Sequence, residues 1–188
     1  MKNRSKRRKI TAALDGSDPS RLAAELAVQI AQKQFQKIEA YYIVDEALIL
    51  DPYSDHGSEL GWELEDSSSD YLLDSFREKG TMELDWFQQY SREHNVETAT
   101  NLLLGGVPEL ILRYSRNASF LALGRRGNSH APQKDHLGKH FLQIAHHAGI
   151  PLMIGGDESR PLNKVMLLLE NIRHCDQAVE WAGFFHEN

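Results

Sequence analysis

The chain has 188 residues, 41% of them hydrophobic, and a formal net charge of −6 at neutral pH. That supplies one well-buried core with some chain to spare, and the acidic balance argues against general nucleic-acid binding. No apolar run reaches the about 18 residues that a membrane span needs, and no signal-peptide apolar region stands near the N-terminus, so a soluble cytoplasmic protein is expected.

The first nine residues, MKNRSKRRK, hold six basic ones, which leaves the remainder near −12. Residues 1–8 read as a solvated basic tail. Lys9 to Leu14 (KITAAL) is the first predicted strand. Asp18-Pro19 then offers a cap and a first-turn proline, and Leu22, Ala23, Leu26, Ala27 and Ile30 recur at helical spacing. Ile38 to Val44 (IEAYYIV) is a second strand, rich in β-branched and aromatic residues. Asp45 to Asp70 carries nine acidic residues and no Lys or Arg. With Pro52, Gly57, Gly61 and Ser67-Ser68-Ser69, this stretch reads as an acidic insertion, a mobile loop outside the core.

Tyr71 to Glu93 returns to a helical pattern through Leu72, Phe76, Leu84, Trp86, Phe87 and Tyr90, with Gly80 as its weak point. Val96 to Leu104 is the third strand. Gly105-Gly106 and Pro108 turn the chain into a short helix, Glu109 to Arg116, and Ser119 to Leu123 (SFLAL) is a fourth strand delivering Gly124. Phe141, Leu142, Ile144, Ala145 and Ala148 share a helical face that Gly149 stops, and Ile150 to Ile154 (IPLMI) is the fifth strand. Apolar runs alternating with amphipathic runs define an α/β domain over residues 9–156, a parallel sheet with crossover helices.

Beyond it the sequence repeats itself. KITAALDGSDPSRLAAELA, Lys9 to Ala27, aligns without a gap on KVMLLLENIRHCDQAVEWA, Lys164 to Ala182, with identities at Lys9/Lys164, Leu14/Leu169, Ala23/Ala178, Glu25/Glu180 and Ala27/Ala182. Residues 163–188 therefore read as a partial second copy, a strand and a helix. Val165 to Leu169 is apolar on both faces, and Ala178, Val179, Trp181, Ala182 and Phe185 form an apolar stripe, so both need cover. The single cysteine, Cys175, has no internal disulfide partner and reads as a small core residue.

In an open parallel sheet, ligands bind beyond the C-terminal strand ends, where the connections diverge. The unusual residues fall at those ends: Asp15-Gly16-Ser17 after the first strand, Val44-Asp45 after the second, and Gly124-Arg125-Arg126-Gly127 after the fourth. Glycines let backbone N–H groups approach an anion. Gly138-Lys139 opens a helix whose first N–H groups lack partners and whose dipole favours negative charge.

The strand-Asp-Gly-Ser opening, the strand ending in Gly-x-x-Gly, the later glycine opening a helix and the proline-led fifth strand together resemble the universal stress protein family. The likeness spans Lys9 to about Ile154, and the partial repeat resembles the family's tandem members. It implies a Rossmann-like five-stranded sheet of order 3-2-1-4-5 with helices on both faces, a homodimer, and in one subclass ATP binding, with Mg²⁺ accompanying the nucleotide. By position, Asp15 and the backbone near Val44 would hold the adenosine half, and Gly124, Arg126, Gly127, Gly138 and Lys139 the phosphates. The family pattern has nine residues between the second and third glycines and then Ser or Thr; here Asn128 to Leu137 gives ten, followed by Lys139. The resemblance thus implies a nucleotide-responsive stress-response module, with a ligand-free dimerising interaction module of the same fold as the alternative.

Other chemistries lack their residues. No Walker A motif is present, because His140 stands where Ser or Thr should be. His136 and His140 are spaced for a metal, but no glutamate or third ligand accompanies them, so solvated histidines are expected there. His146 and His147 are expected at the solvated helix end. No nucleophile–base pair stands out, so no catalytic residue is assigned and slow ATP hydrolysis is the most that is expected.

Overall fold

The computed structural model describes residues 9–34, 36–50, 69–125, 137–156 and 158. Its elements are β1 (Ile10–Leu14), α1 (Asp18–Gln34), β2 (Ile38–Asp45), α2 (Glu46–Leu50), α3 (Ser69–Glu93), β3 (Thr98–Gly105), α4 (Val107–Ser115), β4 (Leu121–Gly124), α5 (Lys139–His147) and β5 (Leu152–Gly155). All four strand pairings are parallel and give the expected order β3-β2-β1-β4-β5. The residues read as a basic tail, those read as a partial second copy with Cys175, the centre of the acidic stretch at 51–68, and Arg126, Gly127 and His136 lie outside the described residues. Among the described residues, no helix is long and apolar enough to cross a membrane.

The strand residues alternate between two helical layers, as the pleat requires. On one face, α1 packs over β1, β4 and β5, and α3 over β2 and β3. Alanine makes the first contact close: Ala23, Ala24, Ala27 and Ala31 of α1 are all essentially buried. On the other face, Ile111 of α4 and Phe141 and Ile144 of α5 close over Leu121 and Leu123 of β4. Tyr41 of β2 stacks on Tyr114 of α4 with ring centroids 5.1 Å apart. Its hydroxyl donates to Glu39, which also pairs with Lys9. Burial pushes the Glu39 carboxyl up, and the hydrogen bonds from Lys9 and Tyr41 overcome that and hold it below its usual range.

Two expectations need correction. The acidic stretch does not leave the fold at Asp45. Asp45 is the last residue of β2, and its Oδ1 accepts the Ala47 N–H at 3.1 Å, which starts α2. α2 then packs against α3 and β3, so the ends of the stretch belong to the domain. The second correction concerns Gly80. It is buried, and a Cβ there would lie 2.6 Å from both Tyr42 Cδ1 and Leu102 Cδ1. A residue that reads as a flaw in the helix is what lets α3 lie directly on β2 and β3.

That contact sets a test of sign. Alanine at 80 gains about 1 kcal/mol of helix propensity, but overpacking two side chains costs about 1–3 kcal/mol, so Gly80→Ala is expected to destabilise the fold. Gly149, where a Cβ would meet nothing within 4 Å, supplies the control. Urea unfolding should give Gly149→Ala within about 0.5 kcal/mol of the unmodified protein, and a clearly lower midpoint for Gly80→Ala.

Candidate functional site

Strand β1 lies between β2 and β4, and the chain leaves it towards β2 while it leaves β4 in the opposite direction, towards β5. The crevice beyond their ends is where an open α/β sheet takes a ligand. Its floor is the β1–α1 turn, Asp15-Gly16-Ser17. Gly16 has φ +83°, a conformation that disfavours other residues. Asp15 Oδ1 accepts the Ser17 N–H at 2.8 Å. Ser17 caps α1: its carbonyl accepts the N–H groups of Ser20 and Arg21, both at 3.1 Å, and its hydroxyl accepts from Ser20 N–H at 3.3 Å. The cap is thus Ser17, one residue ahead of the Asp18 expected from sequence. The Ser20 hydroxyl donates back to the Ser17 carbonyl at 2.9 Å, closing a rigid turn.

Helix α3 covers this turn. A Cβ on Gly16 would meet Lys79 Cε at 3.2 Å and Glu83 Cδ at 3.5 Å. Glu83 is buried and takes Arg21 in a two-pronged pair, with Nε to Oε2 at 3.0 Å, while the guanidinium lies 5.0 Å from the centre of the Trp86 ring. The Glu83 hydrogen bond raises the Arg21 pKa further and keeps it charged. Tyr42, on β2 beneath α3, is pushed up to about 12 by burial first and then by the negative charges of Asp15 and Glu83.

On the far side of the crevice, the N–H of Gly138 donates to the Arg125 carbonyl at 3.1 Å and ties the end of β4 to the start of α5. Gly138 is the N-cap of α5, and its carbonyl accepts the Leu142 N–H at 3.3 Å. The N–H groups of the first helical turn, from Lys139 to Phe141, are those that helix geometry leaves without an intrahelical acceptor. Gly124 ends β4 with its α-carbon against α1, where a Cβ would stand 2.8 Å from Ser20 N. Val44 is buried, which leaves its backbone as the part available at the end of β2. His140 is not simply solvated, as expected. Its Nε2 lies 3.2 Å from Asp45 Oδ2. His146 and His147 are exposed at the helix end as expected, and among the described residues no three His, Cys, Asp or Glu side chains form a metal site.

The structure therefore brings Asp15, Val44, Gly124 and Gly138 to one end of the sheet together with the backbone of Lys139. Arg21, Tyr42, Glu83 and the Asp45–His140 pair are missing from the sequence reading. Glu83 had a signal: it lies at helical spacing on the same face of α3 as the buried Leu72 and Phe87, where a charge demands a partner. The Asp45–His140 contact had none, since it joins residues far apart in the chain.

These features define a class: an open parallel α/β sheet whose connections diverge between β1 and β4. Residues 6–154 match the model of the universal stress protein family, and the chain belongs to that family. Solved structures with the same fold include the universal stress protein UspA from Lactobacillus plantarum, 19% identical with a TM-score of 0.63, covering 81% of this chain and 99% of that one. A universal stress protein from Archaeoglobus fulgidus DSM 4304 is 19% identical with a TM-score of 0.69, covering 95% of this chain and 62% of that one. The universal stress protein from Archaeoglobus fulgidus in complex with dAMP is 16% identical with a TM-score of 0.53, covering 78% of this chain and 97% of that one. No curated protein matches the sequence.

Tyr42 reports on the floor of the crevice. Its raised pKa means that the stability it contributes is fully present below about pH 10, the unfolded value, and is lost as pH rises towards about 12. At about pH 11 that loss is about 1 kcal/mol. Tyr42→Phe should show a shallower fall in urea-unfolding free energy between about pH 8 and 11. Tyr41, raised by burial and then by Glu39, keeps part of the fall in place. An unchanged slope in the variant would show that Tyr42 is not held against those carboxylates.

Proposed function

We propose that the crevice beyond β1 and β4 binds an adenine nucleotide, with ATP as the expected ligand and Mg²⁺ carried by it, and that the protein is a nucleotide-responsive module of the stress response. The observation behind this reading is a convergence. Asp15 commits Oδ1 to the turn and has no partner for its other oxygen among the described residues, and it shares the sheet end with the β2 backbone at Val44 and the first turn of α5. In this reading Asp15 and Val44 hold the adenosine half, and Gly124, Arg126, Gly127, Gly138 and Lys139 line the phosphates. A relative of the same fold in complex with dAMP supports the adenine class. Ligand binding acts by shifting conformational populations, and no residue is given a catalytic role.

A second reading has its own support. Gly124 is needed by the packing of α1, and the Gly138 N–H is already spent on Arg125. Both glycines then have structural reasons to be present, as in a ligand-free interaction module of the same fold. Titration calorimetry with ATP separates the two. The informative variant is Asp15→Asn, because asparagine keeps an acceptor for the Ser17 N–H while losing the charge. It is expected to weaken ATP binding by about 1–3 kcal/mol with an unchanged unfolding midpoint. No heat from the unmodified protein at millimolar ATP would favour the interaction module.

Residues 163–188 are, in the same proposal, the first strand and helix of a second copy, as in tandem members of the family. The internal alignment supports this, as does the Archaeoglobus fulgidus DSM 4304 structure, which covers 95% of this chain. Their apolar faces need cover, and a homodimer supplies it. Light scattering should give twice the chain mass; a mass of one chain at micromolar concentration would remove the dimer from the proposal.

A further inference from the structure

One carboxylate joins three elements at the mouth of the crevice. Asp45 ends β2, holds the Ala47 N–H with Oδ1 to start α2, and meets His140 Nε2 of α5 with Oδ2 at 3.2 Å. β1 stands between β2 and β4 in the sheet, so the contact reaches from the β2 end past β1 to the helix that follows β4. We propose that Asp45 and His140 form a proton-linked clasp across this mouth, so that an anionic ligand arriving at the first turn of α5 binds with uptake of a proton at His140. The ligand half of this proposal rests on the nucleotide reading above.

The argument turns on the second ring nitrogen. His140 Nδ1 is buried and has no hydrogen-bond partner among the described residues. A neutral ring satisfies Asp45 by donating from Nε2 and leaves Nδ1 as a bare acceptor. A charged ring makes Nδ1 a donor with nothing to receive it, at the positive end of a helix dipole, while Asp45 pulls the other way. An anionic oxygen at the first turn of α5 changes that balance. It offers Nδ1–H an acceptor and offsets the dipole, so only the charged ring uses both nitrogens. The charged residues on the surrounding elements are Asp45 and Glu46 at the β2–α2 junction, Arg125 after β4, Glu109 and Arg113 on α4, and Lys139 on α5 itself. Asp45 is the one whose contact with the ring is described.

Proton and anion then stabilise each other, and linkage makes the effect reciprocal: anion binding takes up a proton, and affinity rises as pH falls through the range where histidine gains its charge. The phosphate titrates in the same range, so the measured quantity is the difference between the unmodified protein and His140→Asn. Calorimetry with Mg–ATP near neutral pH, in two buffers of different ionisation heat, is expected to show more proton uptake for the unmodified protein. Its affinity should gain about three- to tenfold over the variant's between about pH 8 and 6. Equal uptake and equal pH slopes overturn the linkage while leaving nucleotide binding in place. No ATP heat from either protein overturns the nucleotide reading and the linkage with it. The clasp itself has a ligand-free readout. Asp45→Asn keeps an acceptor for the Ala47 N–H, and NMR at one fixed pH should show the His140 ring nitrogen resonances displaced from those of the unmodified protein; unmoved resonances overturn the clasp.

Discussion

Among the described glycines, the two at the ends of β4 and β5 have backbone as their nearest neighbour. A Cβ on Gly155, at the end of β5, would stand 1.8 Å from the Pro19 carbonyl oxygen, and one on Gly124, at the end of β4, 2.8 Å from Ser20 N. The first turn of α1 therefore rests on the bare main chain of two strands, a position that no side chain at either glycine would allow. Everything at the crevice inherits its place from this contact. It fixes where α1 begins, and the Ser17 cap and the Asp15 turn follow because they are the only chain left between α1 and β1.

Helix α3 completes the arrangement from the neighbouring strands. Gly80 lets it settle on Tyr42 and Leu102, and from there Glu83 reaches Arg21 of α1. The pair ties the two helices of one face together. Glu83 is largely buried but Arg21 is 40% exposed, so the pair adds little net stability compared with an apolar contact. Breaking it is another matter, because losing Arg21 takes both hydrogen bonds of the fork away from a buried carboxylate that lies near Tyr42 and Asp15. The pair is better understood as fixing the position of α3 over the Asp15 turn than as a source of folding energy.

Much of this was legible in the sequence because it is local. Strand and helix periods are written in runs of neighbouring residues, so the five strands fell within two residues of their place. The alternation of elements, together with the family resemblance, gave the sheet order. Asp15 was legible for the same reason, as part of a compact turn following a strand. The misreadings were tertiary. Gly80 counts against a helix by propensity, and only the strand surface beneath it turns that cost into a gain. α2 was hidden in an acidic, turn-rich stretch whose average composition says nothing of a five-residue helix started by one capping carboxylate. The Asp45–His140 pair depends on a distance that no spacing rule encodes.

A glycine-rich strand end in this fold therefore has two explanations that do not compete. Gly124 must be bare for α1 to pack, and the same bareness exposes backbone to the crevice. What distinguishes a working anion cradle from a structural corner is how many N–H groups the fold leaves over. Here the Gly138 N–H closes on Arg125, so among the described residues between β4 and α5 the donors left over belong to the first turn of α5. Where the family pattern adds a short hydroxyl to those donors, this chain has Lys139, whose residue type offers charge without fixed direction. An anion held in this way depends more on the helix dipole and on side-chain charge than on a rigid hydroxyl contact. Such an arrangement, with an anion in it, would respond to added salt and to the charge of the side chains around it more than a site built on a fixed hydroxyl.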